Sequence, residues 1–154
     1  MILPLGLALT LASGVAPAVS RWAQVQERRI LTEGQPLAAE ALAFATKLKI
    51  EDPEGVRVLE VPQVPVPVPQ ALIQMARGFG FRIITPAGMT LGRGIYILKG
   101  SWGVLRHELV HVEQYQRLGG IHPFMQQYLV ECLFHGYEDA PLEIDAEDRS
   151  RPVR

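Results

Sequence analysis

The order of local signals along this chain predicts an α+β domain, with helices first, a small sheet in the middle and helices again at the end. Three observations carry the prediction. Apolar residues recur at helical spacing over 21–48 and again over 104–148, whereas alternating or β-branched runs are confined to 56–61, 80–85 and 90–99. The length, 154 residues, suits one hydrophobic core. With 48% apolar and 20% charged residues, the composition is that of a folded chain.

Residues 1–20, MILPLGLALTLASGVAPAVS, contain no charged side chain and differ in character from the chain beyond Arg21. Leu5 to Leu11 resembles the apolar region of a secretion signal, and Ala16-Pro17-Ala18 fits a small-x-small cleavage site. No Lys or Arg precedes the apolar run, and Pro4, Gly6, Gly14 and Pro17 weaken it as a spanning helix. Two readings stand: a signal or anchor that associates with a membrane, or an apolar segment packed on the domain. A cytoplasmic chain is preferred to an exported or anchored one, and the domain itself is placed at 21–150.

Arg21 to Glu33 is expected to form an amphipathic helix stopped by Gly34. Pro36 suits the first position of a second helix, with Leu37, Ala41, Leu42, Ala45 and Leu48 on one face. Asp52-Pro53-Glu54-Gly55 is a turn, and Val56 to Val61 alternates as a strand. Four of the twelve prolines crowd into 61–69, which excludes a central strand and predicts a polyproline II connector or a sheet edge. A short helix is expected over 69–78 and a strand over 80–85, then a turn at Pro86-Ala87-Gly88. A further strand is expected over Thr90 to Lys99, in which Gly92 and Gly94 mark a bulge or a close approach by another backbone.

Charge and cysteine narrow the function. A net charge of −1 lacks the basic footprint of a nucleic-acid binder. The single cysteine, Cys132, excludes an internal disulfide and any cysteine-rich metal cluster. Chemistry gathers at His107-Glu108-Leu109-Val110-His111, an H-E-x-x-H run. Its neighbours Val104, Leu105 and Val112 are apolar, no proline interrupts it, and Gly119-Gly120 stops it, so it reads as a helix. On a helix, residues four apart share a face, about 6 Å from each other, and two imidazoles so placed can bind one Zn²⁺. Glu108 then reaches a water beside the metal without being a ligand, which is the position of a general base.

A catalytic zinc site needs a third protein ligand and one open position. The longer H-E-x-x-H-x-x-G-x-x-H pattern is absent, since Gln114 stands where its glycine would be. Downstream, a helix opening near Pro123 ends at Gly136, and a new one opens with Pro141. Glu143 falls in the first turn of that helix, where it can return a carboxylate to the metal.

HELVH followed by a helix opening PLEIDAE resembles the gluzincin metallopeptidases, in particular their small single-domain bacterial members. The resemblance covers about 90–150. It implies a zincin-like fold in which His107, His111 and Glu143 hold Zn²⁺ and Glu108 is catalytic. It also implies that Glu147, four residues past Glu143, orients a histidine, with Glu in place of the commoner Asp. Asp145 is the alternative ligand, although it lies about 200° around the helix from Glu143. The strand TLGRGIYIL would form a sheet edge on which substrate lies extended. Tyr115 lies on the metal face, as a site residue or a core tyrosine. Tyr137 and His135 flank Gly136, either as oxyanion donors or as loop surface. His122 reads as a helix-entry residue, and Arg106 and Arg117 as solvated faces. The expected function is zinc-dependent hydrolysis of a peptide or protein substrate. Two other readings compete, a non-catalytic zinc-braced interaction module and a regulatory peptidase with one protein target.

Overall fold

The computed structural model describes residues 2–67 and 86–152, and it is an α+β fold. The helix expected over 69–78 and the strand over 80–85 lie outside the described residues. Residues 62–67 form neither helix nor strand, consistent with their proline content.

Helix α1 (Leu5–Glu33) runs for 29 residues, straight through the division drawn at residue 20. Pro17 removes one i→i−4 hydrogen bond without ending it. The change from a charge-free half to a charged half reflects a change of neighbour. Ala8, Ala12, Ala16, Ser20 and Ala23 form a buried small-residue stripe at near-helical spacing, along which α1 packs on helix α4 (Ile121–His135). The Ser20 hydroxyl lies 3.1 Å from His122 Nδ1, so His122 ties the two helices together. On the other side Leu5, Leu7, Leu9, Leu11 and Val15 are exposed. Among the described residues no helix is long and apolar enough to cross a membrane.

The second half of α1 crosses the sheet. Gln26 accepts a hydrogen bond from the Tyr96 hydroxyl at 2.8 Å, and Glu27 accepts the Arg93 backbone N–H at 2.9 Å. Ile30 is fully buried, and a Cβ on Gly94 would stand 2.9 Å from its Cβ. Ile30→Ala is therefore expected to cost about 2–5 kcal/mol, read as a lower denaturation midpoint in urea.

Strand β1 (Gln35–Pro36) takes the proline that suits a helix start in the sequence. It pairs antiparallel with β2 (Arg57–Val61) at the sheet edge, where a missing N–H is tolerated, and α2 (Ala39–Lys47) begins three residues later. The run 90–99 is not one strand. It contains the turn of a hairpin between β3 (Gly88–Leu91) and β4 (Gly94–Leu98), with Leu91 opposite Gly94. The positive φ of a two-residue hairpin turn falls on Gly92, at 66°. Among the described residues the sheet order is β1-β2-β4-β3, with β2 and β4 parallel from Arg57↔Gly94 to Val61↔Leu98.

Both faces of β4 are covered. Ile95 and Ile97 join a core with Phe44 of α2 and Leu109 and Val110 of α3 (Leu105–Leu118). Tyr96 joins a second core with Ile30 of α1 and Phe124 and Met125 of α4. Helix α3 closes in a Schellman motif, with Gly119 at φ 100°, Gly119 N–H donating to Gln116 O and Gly120 N–H to Tyr115 O. Helix α4 opens at Ile121, two residues before Pro123, and stops at Gly136. Helix α5 (Pro141–Ser150) has proline at its first position and packs on α3. Arg106 meets Ser150 at one end of this pair and Gln114 meets Leu142 at the other, so the two helices run antiparallel. Arg106 is not a solvated residue: its guanidinium covers the Phe44 ring at 3.8 Å.

Candidate metal centre

The helical spacing of HELVH brings both histidines to one face of α3, and α5 delivers Glu143 to the same point. His107 Nε2 and His111 Nε2 lie 3.0 Å apart. Glu143 Oε2 is 3.0 Å from His107 Nε2, and Oε1 is 3.4 Å from His111 Nε2. One ligand atom from each of the three residues lies within 4.8 Å of the others. Two imidazole nitrogens and a carboxylate oxygen are the donor set that Zn²⁺ takes in catalytic sites, so these residues fit the ion. Burial alone would raise the Glu143 pKa, but the adjoining His107 and His111 rings outweigh it and hold the carboxyl well below its usual range. Tyr128 donates a further hydrogen bond to Glu143 Oε1 at 2.8 Å.

The start of α5 is seated by neighbours. Glu131, buried on α4, accepts the Leu142 backbone N–H at 2.8 Å, which supplies a helix opening with the negative charge it favours. Gln114 accounts for the Leu142 carbonyl, to which its Nε2 donates at 2.9 Å.

Glu108 is buried beside this group and is not one of the converging ligands. The Thr90 hydroxyl lies 2.7 Å from its Oε2 and 2.9 Å from its backbone oxygen, and serves one of them at a time. Burial pushes the Glu108 pKa up, opposed by the charge of His111 and by the Thr90 hydroxyl. A carboxylate with raised basicity is suited to taking a proton. β3 passes so close that a Cβ on Gly88 would stand 2.7 Å from Glu108 Oε1. Gly88→Ala is therefore expected to displace the Glu108 carboxylate and lower any Glu108-dependent activity by about tenfold or more, at a stability cost of about 1–3 kcal/mol. Turnover and urea melts on the same preparation separate the two effects.

The remaining sequence candidates divide. Glu147 Oε2 is 3.8 Å from His107 Nδ1 on an exposed side chain, too far for a hydrogen bond. Tyr137 lines the same cavity as the three donors, half exposed, with its hydroxyl pKa raised by burial. Asp145 is not brought to the group: its Oδ2 accepts from Gln114 at 2.8 Å and from Arg149 at 3.0 Å. Tyr115 is a core tyrosine, stacked on Phe124, whose hydroxyl donates to the Thr90 carbonyl at 2.9 Å and so pins β3. His135 packs edge-on against Phe134 and does not line the cavity. Among the described residues the sheet edge beside Glu108 is β3, whereas β4 lies inside the sheet. Gly92 and Gly94 admit Glu27 and Ile30 of α1 rather than a substrate.

Three residues of the site escape the sequence reading. Thr90 and Tyr128 meet their partners only through the tertiary fold. Gln114 carries a local signal, since it stands three residues after His111 on the same helical face. A cavity of about 450 Å³ opens over the group. His107, Glu108, His111 and Glu143 lie on its wall, among apolar side chains that include Val19, Trp22, Met89, Met125 and Leu129. No protein-family model, curated protein or solved structure matches this chain.

Proposed function

We propose that this chain is a zinc-dependent metallopeptidase of the gluzincin kind. The observation that carries the reading is the convergence of His107, His111 and Glu143 beside a buried Glu108 on the wall of one cavity. When bound, the ion supplies Lewis-acid chemistry, lowering the pKa of a water and polarising the scissile carbonyl. Glu108 takes the proton as water attacks and returns it to the leaving amine. Among the described residues β3 is the outer strand of the sheet, and its backbone groups would receive an extended peptide next to Glu108, while the apolar wall takes an apolar side chain. Tyr137, on the wall of the same cavity, donates to the carbonyl oxygen as negative charge develops.

The open cavity favours a hydrolase over a zinc-braced structural module, which would close the fourth position. A diverse peptide library incubated with zinc-supplemented protein tests this, with new termini read by mass spectrometry. New termini that disappear in Glu108→Gln are expected. No cleavage by the zinc-supplemented parent would contradict the proposal.

A further inference from the structure

Resting on the reading of His107, His111 and Glu143 as ligands, we propose that Gln114 is a positioning residue. It fixes which nitrogen of His111 faces the metal and ties that choice to the seat of α5. Its side chain is fully buried, so every polar atom of the amide must be accounted for inside the protein. Nε2 lies 2.9 Å from the Leu142 carbonyl oxygen and 2.8 Å from Asp145 Oδ2. Both of these only accept, so the end of the amide that faces them is the NH₂. Arg149 Nη1 holds the same Asp145 oxygen at 3.0 Å and keeps it an acceptor.

The carbonyl end is thereby turned to His111, with Oε1 2.7 Å from Nδ1. An amide oxygen has no proton to give, so Nδ1 carries one. In the uncharged ring Nε2 is then bare, and Nε2 is the atom that faces His107 and Glu143. Reversing the amide would set its oxygen against a carbonyl and a carboxylate. Leu142 precedes Glu143 in the chain, so one side chain orients a ligand on α3 and seats the backbone that carries a ligand on α5. Among the described residues His107 has no such lock: its Nδ1 meets only the exposed Glu147 at 3.8 Å, and its Nε2 lies 3.0 Å from Glu143 Oε2, which calls for a proton on Nε2. Zinc binding thus requires His107 to change tautomer and leaves His111 as it stands.

The test is long-range proton–nitrogen NMR on the full chain with ¹⁵N-labelled histidine, stripped of metal and then titrated with zinc, at a pH where both rings are uncharged. His111 is expected to carry its proton on Nδ1 before and after zinc, and His107 to move its proton from Nε2 to Nδ1. In Gln114→Met, which keeps the shape of the side chain, His111 is expected to become a mixture of tautomers. Zinc affinity against a competing chelator should then fall by about 10–100-fold. The parent spectrum tests the proposal even if that variant does not fold. Zinc uptake by a parent whose metal-free His111 is protonated on Nε2 would overturn the Gln114 assignment alone, as would a Gln114→Met variant with the parent's affinity. No zinc uptake by the parent would overturn the ligand reading, and the proposal with it.

Discussion

Glu108→Gln is expected to take up zinc as the parent does while losing about 10²–10⁴-fold in turnover. The substitution is isosteric, so the packing beside Gly88 is kept and the Thr90 hydroxyl still finds an oxygen to donate to. What disappears is the buried carboxylate that stands beside the three ligands without joining them, and with it the site's proton acceptor. Metal content by plasma mass spectrometry and turnover on a cleaved peptide, from one preparation, read the two halves separately. A variant that loses its zinc would make Glu108 a ligand and end its assignment as the base.

Glu143→Ala is expected to bring zinc from about one per chain to nearly none, while Asp145→Ala still takes it up. The two carboxylates are two residues apart, and their surroundings differ entirely. Glu143 meets His107 and His111, whereas Asp145 meets Gln114 and Arg149. The contrast also extends to stability, because an ion bound only by the folded chain stabilises it. At a free zinc concentration a hundredfold above the dissociation constant this amounts to about 2.7 kcal/mol. Added zinc should therefore raise the melting temperature of the parent and of Asp145→Ala, and leave that of Glu143→Ala where it was. Equal zinc content in all three proteins would sink the three-ligand site.

The site is more legible in the sequence than the first half of the fold. The spacing of His107 and His111 needs only a helix to put both on one face, and Pro141 fixes the helix start that places Glu143 in a first turn. Both are local facts. Helix α1 defeats a local reading because its charge pattern changes at Arg21. That change records its passage from the surface of α4 to the surface of the sheet, two partners that no local window contains. The hairpin at Leu91–Gly94 reads as one strand because its turn is Gly92-Arg93, with apolar residues on both sides and none of the usual Asn-Gly signal. Pro36 suits a helix start as well as a sheet edge, and only the pairing with Arg57 decides between them. Thr90 and Tyr128 look like ordinary strand and core residues because their partners, Glu108 and Glu143, stand 18 and 15 residues away.

Zinc content per chain is the most direct measurement, made on protein purified without a histidine tag or chelator and then titrated with the ion. About one zinc per chain, bound as isolated or taken up on titration, is the predicted result. A chain that carries no metal and accepts none would mean that His107, His111 and Glu143 form only a hydrogen-bonded cluster, and would contradict the peptidase reading at its root.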